Sequence, residues 1–264
     1  MLISSRENPL IKEAAALISD KKVRKNTGLF VVEGARLCGE AAKSTASIER
    51  VFITEEAEKR YENYVKELLS AAKETYYITE SVAGKISDTK NPQGVFAVCR
   101  FREKSVDFES DGLFVLLSEL QDPGNIGTIL RTAEAMNAKG VLLCASAELF
   151  SPKVLRSTMG CLFRLPVMVF DTTAEALDLL REHGIRTYAA ALSSRAVMLP
   201  NVRFAKKSCV LIGNEGNGLS PETIEASDET VMIPMPGRAE SLNAASAAAI
   251  MIYCAGIQLS QEVK

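Results

Sequence analysis

The chain has 264 residues, of which 47% are hydrophobic and 24% charged, and its formal net charge is −2 at pH 7. This length allows one large domain or two ordinary ones with packed cores. A pI near 5.7 excludes a protein that coats nucleic acid by bulk charge alone, but leaves room for a local basic patch. Six dispersed cysteines without a C-x-x-C pair favour reduced thiols in the cytoplasm, and with the single histidine, His183, they argue against a metal site.

Helices and strands are predicted to alternate in the first hundred residues. In chain order they are a helix at 8–20, a strand at 29–32, a helix from Gly34, a strand at 51–53, a helix at 55–73 and a strand at 95–99. This order predicts a small α/β sandwich over residues 1–101. The charged stretch 102–111 has no sustained apolar period and is predicted to be a linker.

Basic residues are concentrated near the N-terminus, where residues 1–50 contain nine Lys and Arg against six Asp and Glu. Lys22 and Arg24 belong to a basic run at 21–25. Short basic runs are common on protein surfaces. Two interpretations therefore stay open with equal weight, a solvated loop or an RNA-facing patch.

Longer apolar strands are predicted from residue 112 onward, at 113–117, 140–144, 165–169, 187–191, 209–212 and 231–233. Continuous apolar runs separated by helices predict a mostly parallel sheet covered on both faces. Residues 112–264 are therefore predicted to form an α/β domain. Ligands of such sheets bind at the carboxyl ends of the strands.

Three loops at such strand ends contain most of the unusual residues. The loop 121–127 opens a helix in which Asn125 is the predicted N-cap and Arg131 lies opposite the apolar stripe. The loop 213–219 contains three glycines, which indicate positive φ angles or close approach to the backbone, in a tight turn or a binding loop. The third loop, 234–240, leads to Ser241 as predicted N-cap and to Asn243, whose poor helix propensity suggests another use for its amide.

The stretch from Leu242 to Leu259 has no charged residue. It is rich in alanine and interrupted by Asn243, Ser246 and Gln258, so its transfer to a membrane is weakly favourable. We expect a buried C-terminal helix, placed at a subunit interface, rather than a membrane span.

Together these loops resemble the three signature motifs of the SpoU (TrmH-like) family of the SPOUT superfamily. The resemblance is carried by Asn125-Ile126-Gly127 with Arg131, by 212–219, by 233–237 with Ser241-Leu242-Asn243, and by 151–160. It spans essentially all of 112–264. The front part is similar to the family's L30-like substrate-binding domain through 4–9, 30–34 and 91–95.

The resemblance implies an RNA 2′-O-ribose methyltransferase that uses S-adenosylmethionine, with a C-terminal trefoil knot in the parallel sheet. It also implies a homodimer that acts on structured RNA, with ribosomal RNA favoured over transfer RNA. The residues expected to bind the cofactor are Gly213, Ile233, Ser241, Leu242 and Asn243.

Three further residues match the family's catalytic centre: Arg131 is the expected catalytic arginine, surrounded by Asn125 and Glu215. Arg156 and Arg164 match a basic stretch and are expected to hold RNA phosphate, or else are simply exposed arginines.

Other functions stay open at this point. One is an RNA-binding protein of the same fold without catalysis, and another is a methyltransferase that acts on a base nitrogen. A nucleotide-dependent small-molecule enzyme is a weaker third, because 213–219 is neither a G-x-G-x-x-G nor a P-loop sequence.

Overall fold

The computed structural model describes residues 1–100 and 105–262. The strands in these ranges are β1 (Leu2–Ile3), β2 (Leu29–Glu33), β3 (Ser47–Ile53), β4 (Glu74–Ile78), β5 (Val95–Arg100), β6 (Gly112–Ser118), β7 (Gly140–Cys144), β8 (Val167–Phe170), β9 (Arg186–Ala190), β10 (Val197–Met198), β11 (Lys207–Ile212) and β12 (Glu229–Met232). The α-helices are α1 (Pro9–Ser19), α2 (Lys21–Thr27), α3 (Ala35–Ala42), α4 (Glu55–Arg60), α5 (Glu62–Ala71), α6 (Glu80–Ala83), α7 (Pro123–Ala135), α8 (Pro152–Ser157), α9 (Thr173–Glu182), α10 (Pro221–Ala226) and α11 (Ala244–Glu262).

The chain divides into two compact units. The first comprises Met1–Arg102 and Glu148–Arg164, and the second comprises Glu103–Ala147 and Leu165–Lys264. Segment 148–164, which the sequence analysis assigned to the C-terminal domain, therefore packs within the first unit. Residues 102–104 of the predicted linker lie outside the described residues, whereas Phe108 in its remaining part stacks on Phe114 at 5.5 Å between ring centroids.

The first unit is built on a five-stranded sheet in the order β1-β4-β3-β5-β2. Strand β5 is antiparallel to both β2 and β3, and the remaining pairs are parallel. Ile11 and Leu17 of α1 pack with Phe52 and Phe96 of the sheet in one core. The predicted α/β organisation is confirmed, but the helix expected at 55–73 is two helices, α4 and α5, separated at Tyr61.

Segment 148–164 is held in the first unit by long-range contacts. The ring of Phe150 stacks on that of Phe30 with 4.7 Å between centroids. Glu148 accepts hydrogen bonds from Nε and Nη2 of Arg24 at 2.6 and 2.5 Å. Since these partners lie more than a hundred residues apart, no local pattern in the sequence indicates the contact.

The basic run at 21–25 lies in helix α2, not in a loop. The Asp20 side chain accepts from the N–H of Lys22 at 2.7 Å and caps the helix. Gly28 ends it with a φ of 65°.

All strand pairs of the second unit's sheet are parallel, in the order β10-β12-β9-β11-β6-β7-β8. The central strands β6, β7 and β11 are buried along most of their length, which explains their continuous apolar sequences. The predicted parallel sheet with flanking helices is confirmed, with β10 as an additional short edge strand. The trefoil knot stays a prediction, because strand order and register do not define how the chain threads.

Helix α11 packs against α7, β6 and β11. Ala248, Met251, Ile252 and Ala255 are buried, whereas Ile250 and Tyr253 are exposed. By length and mean hydropathy (1.2 over Ala244–Gln261) the helix could cross a membrane, a test that core helices of soluble proteins also pass. The expected buried C-terminal helix is thus buried on one face.

Candidate active site

Three loops of the second unit follow parallel strands and lead into helices. They connect β6 with α7, β11 with α10, and β12 with α11. Because parallel strands end at the same edge of a sheet, these connections collect there. The residues predicted to form the site, which lie on these three loops, are therefore expected to be close enough for direct contacts.

The carboxylate of Glu215 joins the second loop to the first. Its Oε1 accepts from the backbone N–H of Asp122 at 3.0 Å and from Nδ2 of Asn125 at 3.1 Å. Its Oε2 accepts from the N–H of Gln121 at 3.3 Å. Desolvation raises the pKa of Glu215, but the hydrogen bonds that it accepts outweigh this, so the pKa lies below its ordinary value. Glu215 is therefore an anion at neutral pH with both oxygens engaged.

Asn125 and Asn243 join the first loop to the third. Nδ2 of Asn243 donates to Oδ1 of Asn125 at 3.1 Å. Oδ1 of Asn243 accepts from the N–H groups of Ala245 and Ser246 at 2.9 and 3.2 Å. A continuous hydrogen-bonded chain thus runs from Glu215 through Asn125 to Asn243 and the start of α11.

Two predicted helix caps are wrong. Helix α7 is capped by Asp122, whose Oδ1 accepts from the N–H of Asn125 at 2.8 Å, so Asn125 lies inside the first turn. Helix α11 begins at Ala244 and is capped by Asn243 rather than by Ser241. With Asp122 as the cap, the side chain of Asn125 is available to bind Glu215 and Asn243. With Asn243 as the cap, its Oδ1 binds the helix and its Nδ2 is available to bind Asn125.

A cleft of about 360 Å³ lies beside this chain of hydrogen bonds, and Glu215 is among its lining residues. Four of the five residues expected to bind a cofactor also line it, namely Gly213, Ile233, Ser241 and Leu242. Asn243 is not among the lining residues and instead caps α11. Apolar walls with a few polar groups and a volume of this size are typical of small-molecule sites.

Gly213 is required by the loop itself. A Cβ at this position would lie 2.2 Å from the carbonyl carbon of Gly218 and from the nitrogen of Leu219. The loop closes through a bridge in which Asn214 and Gly218 exchange backbone hydrogen bonds of 3.0 and 2.9 Å. The loop is therefore a tight turn, and the same residues line the cleft.

Arg131 lies on the exposed face of α7, opposite the buried Ile126, Ile129 and Ala133. This matches its predicted position on the helix. The structure brings Asn125, Glu215 and Asn243 into one chain of hydrogen bonds and leaves Arg131 outside it, on the same helix as Asn125.

The residues expected to bind RNA all lie in the first unit. Lys22 is exposed. Arg156 donates to Asp88 at 2.7 Å, and Arg164 is paired with Glu40, so both arginines are held by carboxylates rather than simply solvated.

The expectation that Arg24 binds RNA needs correction. Its side chain is only 7% exposed and pairs with Glu148, while its Nη1 donates to the carbonyl oxygens of Leu17 and Ile18 at 2.5 and 2.9 Å. A guanidinium buried with its donors satisfied in this way stabilises the unit and is not presented to a phosphate.

Two polar residues of the site were not assigned a role from the sequence. Nε2 of Gln121 and Nδ2 of Asn214 both donate to the carbonyl oxygen of Glu119, at 3.1 and 2.9 Å. Glu119 itself has a positive φ of 59°. The sequence does contain a signal for Asp122 as the cap of α7, since Asp122-Pro123 is a typical N-cap and N1 pair. No sequence pattern indicates the contacts of Glu119.

Comparisons with known proteins find similar proteins for both parts of the chain. Residues 112–253 match the profile of the SpoU rRNA Methylase family, and residues 8–97 match the MRM3-like substrate binding domain. The chain is 32% identical to the 23S rRNA (guanosine(2553)-2′-O)-methyltransferase RlmP of Bacillus subtilis, over 95% of this chain and 97% of that protein. It is 29% identical to a 23S rRNA (uridine(2479)-2′-O)-methyltransferase of Streptomyces viridochromogenes, over 95% and 90% of the two chains.

A solved structure shares the whole fold. The AdoMet-bound rRNA methyltransferase from Sinorhizobium meliloti superposes with a TM-score of 0.87 at 29% identity, covering 98% of each chain. The resemblance first seen in the three loop motifs is confirmed. The chain belongs to the SpoU rRNA methylase family.

Proposed function

We propose that this protein transfers a methyl group from S-adenosylmethionine to a ribose 2′-hydroxyl of ribosomal RNA. The observation that carries the proposal is that Glu215 lines the cleft and also holds the loop of Asn125 by three hydrogen bonds. The names of the two curated relatives supply the reaction and the class of RNA.

The cleft fits the cofactor. Ile233 and Leu242 offer apolar cover for a flat adenine ring, and Ser241 and the backbone around Gly213 offer hydrogen-bonding groups. S-adenosylmethionine supplies a sulfonium methyl group when bound. The chain's own residues then have to hold the ribose hydroxyl in line and stabilise charge on its oxygen as the hydroxyl proton passes to water.

We assign the stabilisation of charge on the ribose oxygen to Arg131. The guanidinium of Arg131 has N–H donors and no acceptor, so it does not act as a base. Its donors instead orient the neighbouring phosphate and stabilise the developing alkoxide. Asn125 acts beside it, and Glu215 is a positioning residue because its oxygens are already occupied by donors of the first loop.

RNA contacts are proposed for the first unit, which matches a substrate-binding domain. Exposed Lys22 and the partly exposed Arg156 and Arg164 are the candidates there. We further propose a cytoplasmic homodimer formed through the exposed side chains of α11, Ile250 and Tyr253, since exposed apolar groups on one helix face are typical of subunit interfaces.

The test is methyl transfer from labelled S-adenosylmethionine to total RNA of a strain that lacks the gene. We expect the wild-type protein to form a 2′-O-methyl nucleotide, mapped by nuclease digestion. Arg131→Ala should lower the rate at least 100-fold with an unchanged Tm, because Arg131 is exposed. Arg181→Ala, an exposed arginine of α9, is the matched control and should retain full activity.

Other outcomes separate the alternatives. Label found on a base would assign the protein to nitrogen methylation. Cofactor binding without transfer to any RNA would leave an RNA-binding protein.

A further inference from the structure

The first unit contains a cavity of about 310 Å³ that the methyl transfer does not use. It lies between the start of α3, the segment 89–93 and the end of α8. Its main lining residues are Arg36, Leu37, Asn91, Gln93, Arg156 and Met159. A nucleobase is well within this volume, and the whole cavity belongs to the first unit, of which residues 8–97 match a substrate-binding domain.

Arg156 lines this cavity and is anchored by a carboxylate. Its Nη2 donates to Asp88 at 2.7 Å, but its Nη1 is buried and has no hydrogen-bond partner among the described residues. A carboxylate oxygen of Glu33 is 3.9 Å from Nη1. Because Nη1 is buried while the Arg156 side chain as a whole is 31% exposed, the rest of that side chain forms the charged wall of the cavity.

Glu33 is not free to move toward Arg156. Its carboxylate accepts from the hydroxyls of Ser87 and Thr89 at 2.5 and 2.7 Å and from the N–H of Asp88 at 3.1 Å. Glu33 and Asp88 also balance the charge of Arg156. The cavity is therefore a poor site for a bare phosphate and a better one for a neutral group with acceptor atoms.

Met159 forms an apolar wall of the cavity in an unfavourable backbone conformation. Its φ is +51°, a region that residues with side chains seldom adopt, and its side chain is 46% exposed. Strain of this kind is retained where the surrounding structure or a function requires it. Leu37 lines the same cavity.

Amide side chains complete the cavity. Oε1 of Gln93 accepts from the N–H of Ala35 at 2.9 Å, which fixes this side chain and directs its Nε2 elsewhere. Asn91 is exposed beside it. Unstacked RNA bases are recognised by such a combination, in which apolar or guanidinium surfaces stack on the ring and amides bind its edge.

We propose that this cavity receives one unstacked nucleobase of single-stranded RNA. The inference rests on the proposed function, because it places part of the RNA substrate on the first unit. Met159, Leu37 and the Arg156 side chain contact the faces of the base, and Asn91 binds its edge.

The test measures binding by fluorescence anisotropy on the full-length protein without cofactor. The probes are a labelled single-stranded RNA oligonucleotide of mixed sequence and an abasic ribose-phosphate oligomer of equal length. We expect the wild-type protein to bind the abasic probe about tenfold more weakly, the loss typical of one stacked base. Equal affinity for the two probes would overturn the proposal and indicate phosphate contacts alone.

Met159→Gly is the decisive variant. Glycine removes the apolar wall and relieves the positive φ, so the Tm should not fall. Binding of the base-bearing RNA should weaken to the level of the abasic probe. Asn137→Gly relieves a similar φ of 54° in the second unit and should leave both affinities unchanged. Wild-type affinity in Met159→Gly would overturn the proposal.

A failure here is distinguishable from failure of the proposed function. If the cavity is not used, Met159→Gly will methylate RNA with the wild-type KM. If the methyl transfer is absent in the wild-type protein, the oligonucleotide result still decides whether the cavity binds a base.

Discussion

At the scale of single residues, Glu215 shows how one carboxylate can assemble a site. Its two oxygens accept three hydrogen bonds, two from the loop between β6 and α7 and one from Asn125 in the first turn of α7. Two of the donors are backbone N–H groups, which cannot move without displacing the loop. Glu215 therefore determines where Asn125 lies relative to the cleft.

Glu215→Gln is expected to lower both the Tm at neutral pH and the rate of methyl transfer. The amide keeps one acceptor, but its NH2 group faces the N–H of Gln121. The pKa of Glu215 in the folded state lies below its ordinary value of 4.5, so its stabilising effect exists above that pH and is lost as the pH falls through the folded pKa. In scanning calorimetry the difference between wild type and variant should be present at pH 7 and narrow below about pH 4.

Glu225→Gln, on an exposed position of α10, is the control for the substitution itself. It should leave both the Tm and the rate unchanged. A Tm difference for Glu215→Gln that persists unchanged in acid would contradict the role assigned to the ionised carboxylate.

The sequence predicts which residues form the site more reliably than it predicts how buried a residue is or which distant residue it contacts. Asn125, Glu215 and Asn243 were selected from their motifs, and they form one hydrogen-bonded chain. The burial of Arg24 was not predicted, because its partner Glu148 is 124 residues away. Local charge patterns report which residues are basic, whereas only tertiary packing decides which of them are exposed.

At the scale of helices and strands, the elements found from the sequence were those with strong patterns. Strands β6, β7 and β11 have continuous apolar runs because both their faces are buried. Strand β4 was missed because its residues are mostly half-buried and include no such run. Strands β1 and β10 have two residues each, too few to show any periodicity.

Asn243 both caps α11 and binds Asn125, and substitutions at this residue can separate the two roles. Asn243→Asp keeps the acceptor for the N–H groups of Ala245 and Ser246, and a negative charge suits a helix N-terminus. It removes the donor to Oδ1 of Asn125. We expect wild-type stability in urea unfolding together with a clear loss of methyl transfer.

Asn243→Ala is the matched comparison, since it removes both the cap and the donor. It should lose activity and also about 1 kcal/mol of stability. If Asn243→Asp retained full activity, the hydrogen bond to Asn125 would have no part in positioning the site.

At the scale of the whole molecule, the compact units do not follow the order of the sequence. Glu148–Arg164 lies between two stretches of the second unit yet packs in the first. Family profiles that end near residue 97 and begin at 112 do not reveal this. The Arg24–Glu148 pair, with side chains 7% and 18% exposed, is the most buried ion pair of the segment among the described residues.

Removing one partner of the Arg24–Glu148 pair should destabilise the fold strongly. We expect Arg24→Ala or Glu148→Ala to lower the free energy of unfolding by about 3 kcal/mol, because each leaves an unpaired buried charge. The double variant Arg24→Met with Glu148→Leu should restore most of this loss, since apolar side chains remove both charges and refill the space.

Lys12→Ala provides the reference for an exposed pair. Lys12 and Glu7 have side chains 57% and 78% exposed, so the loss should be much smaller than for the buried pair. Urea unfolding of all four variants measures these differences. Similar losses for the buried and the exposed pair would show that Glu148 does not anchor the segment.

The position of segment 148–164 also has a consequence for how such proteins can exchange parts by recombination. A crossover near residue 100 would replace the front of the gene but keep the old segment 148–164. The product would then combine Phe30 and Arg24 of one parent with Phe150 and Glu148 of another. Inheritance of a working first unit therefore needs two separate exchanges, or partners that have changed together across the two stretches of the gene.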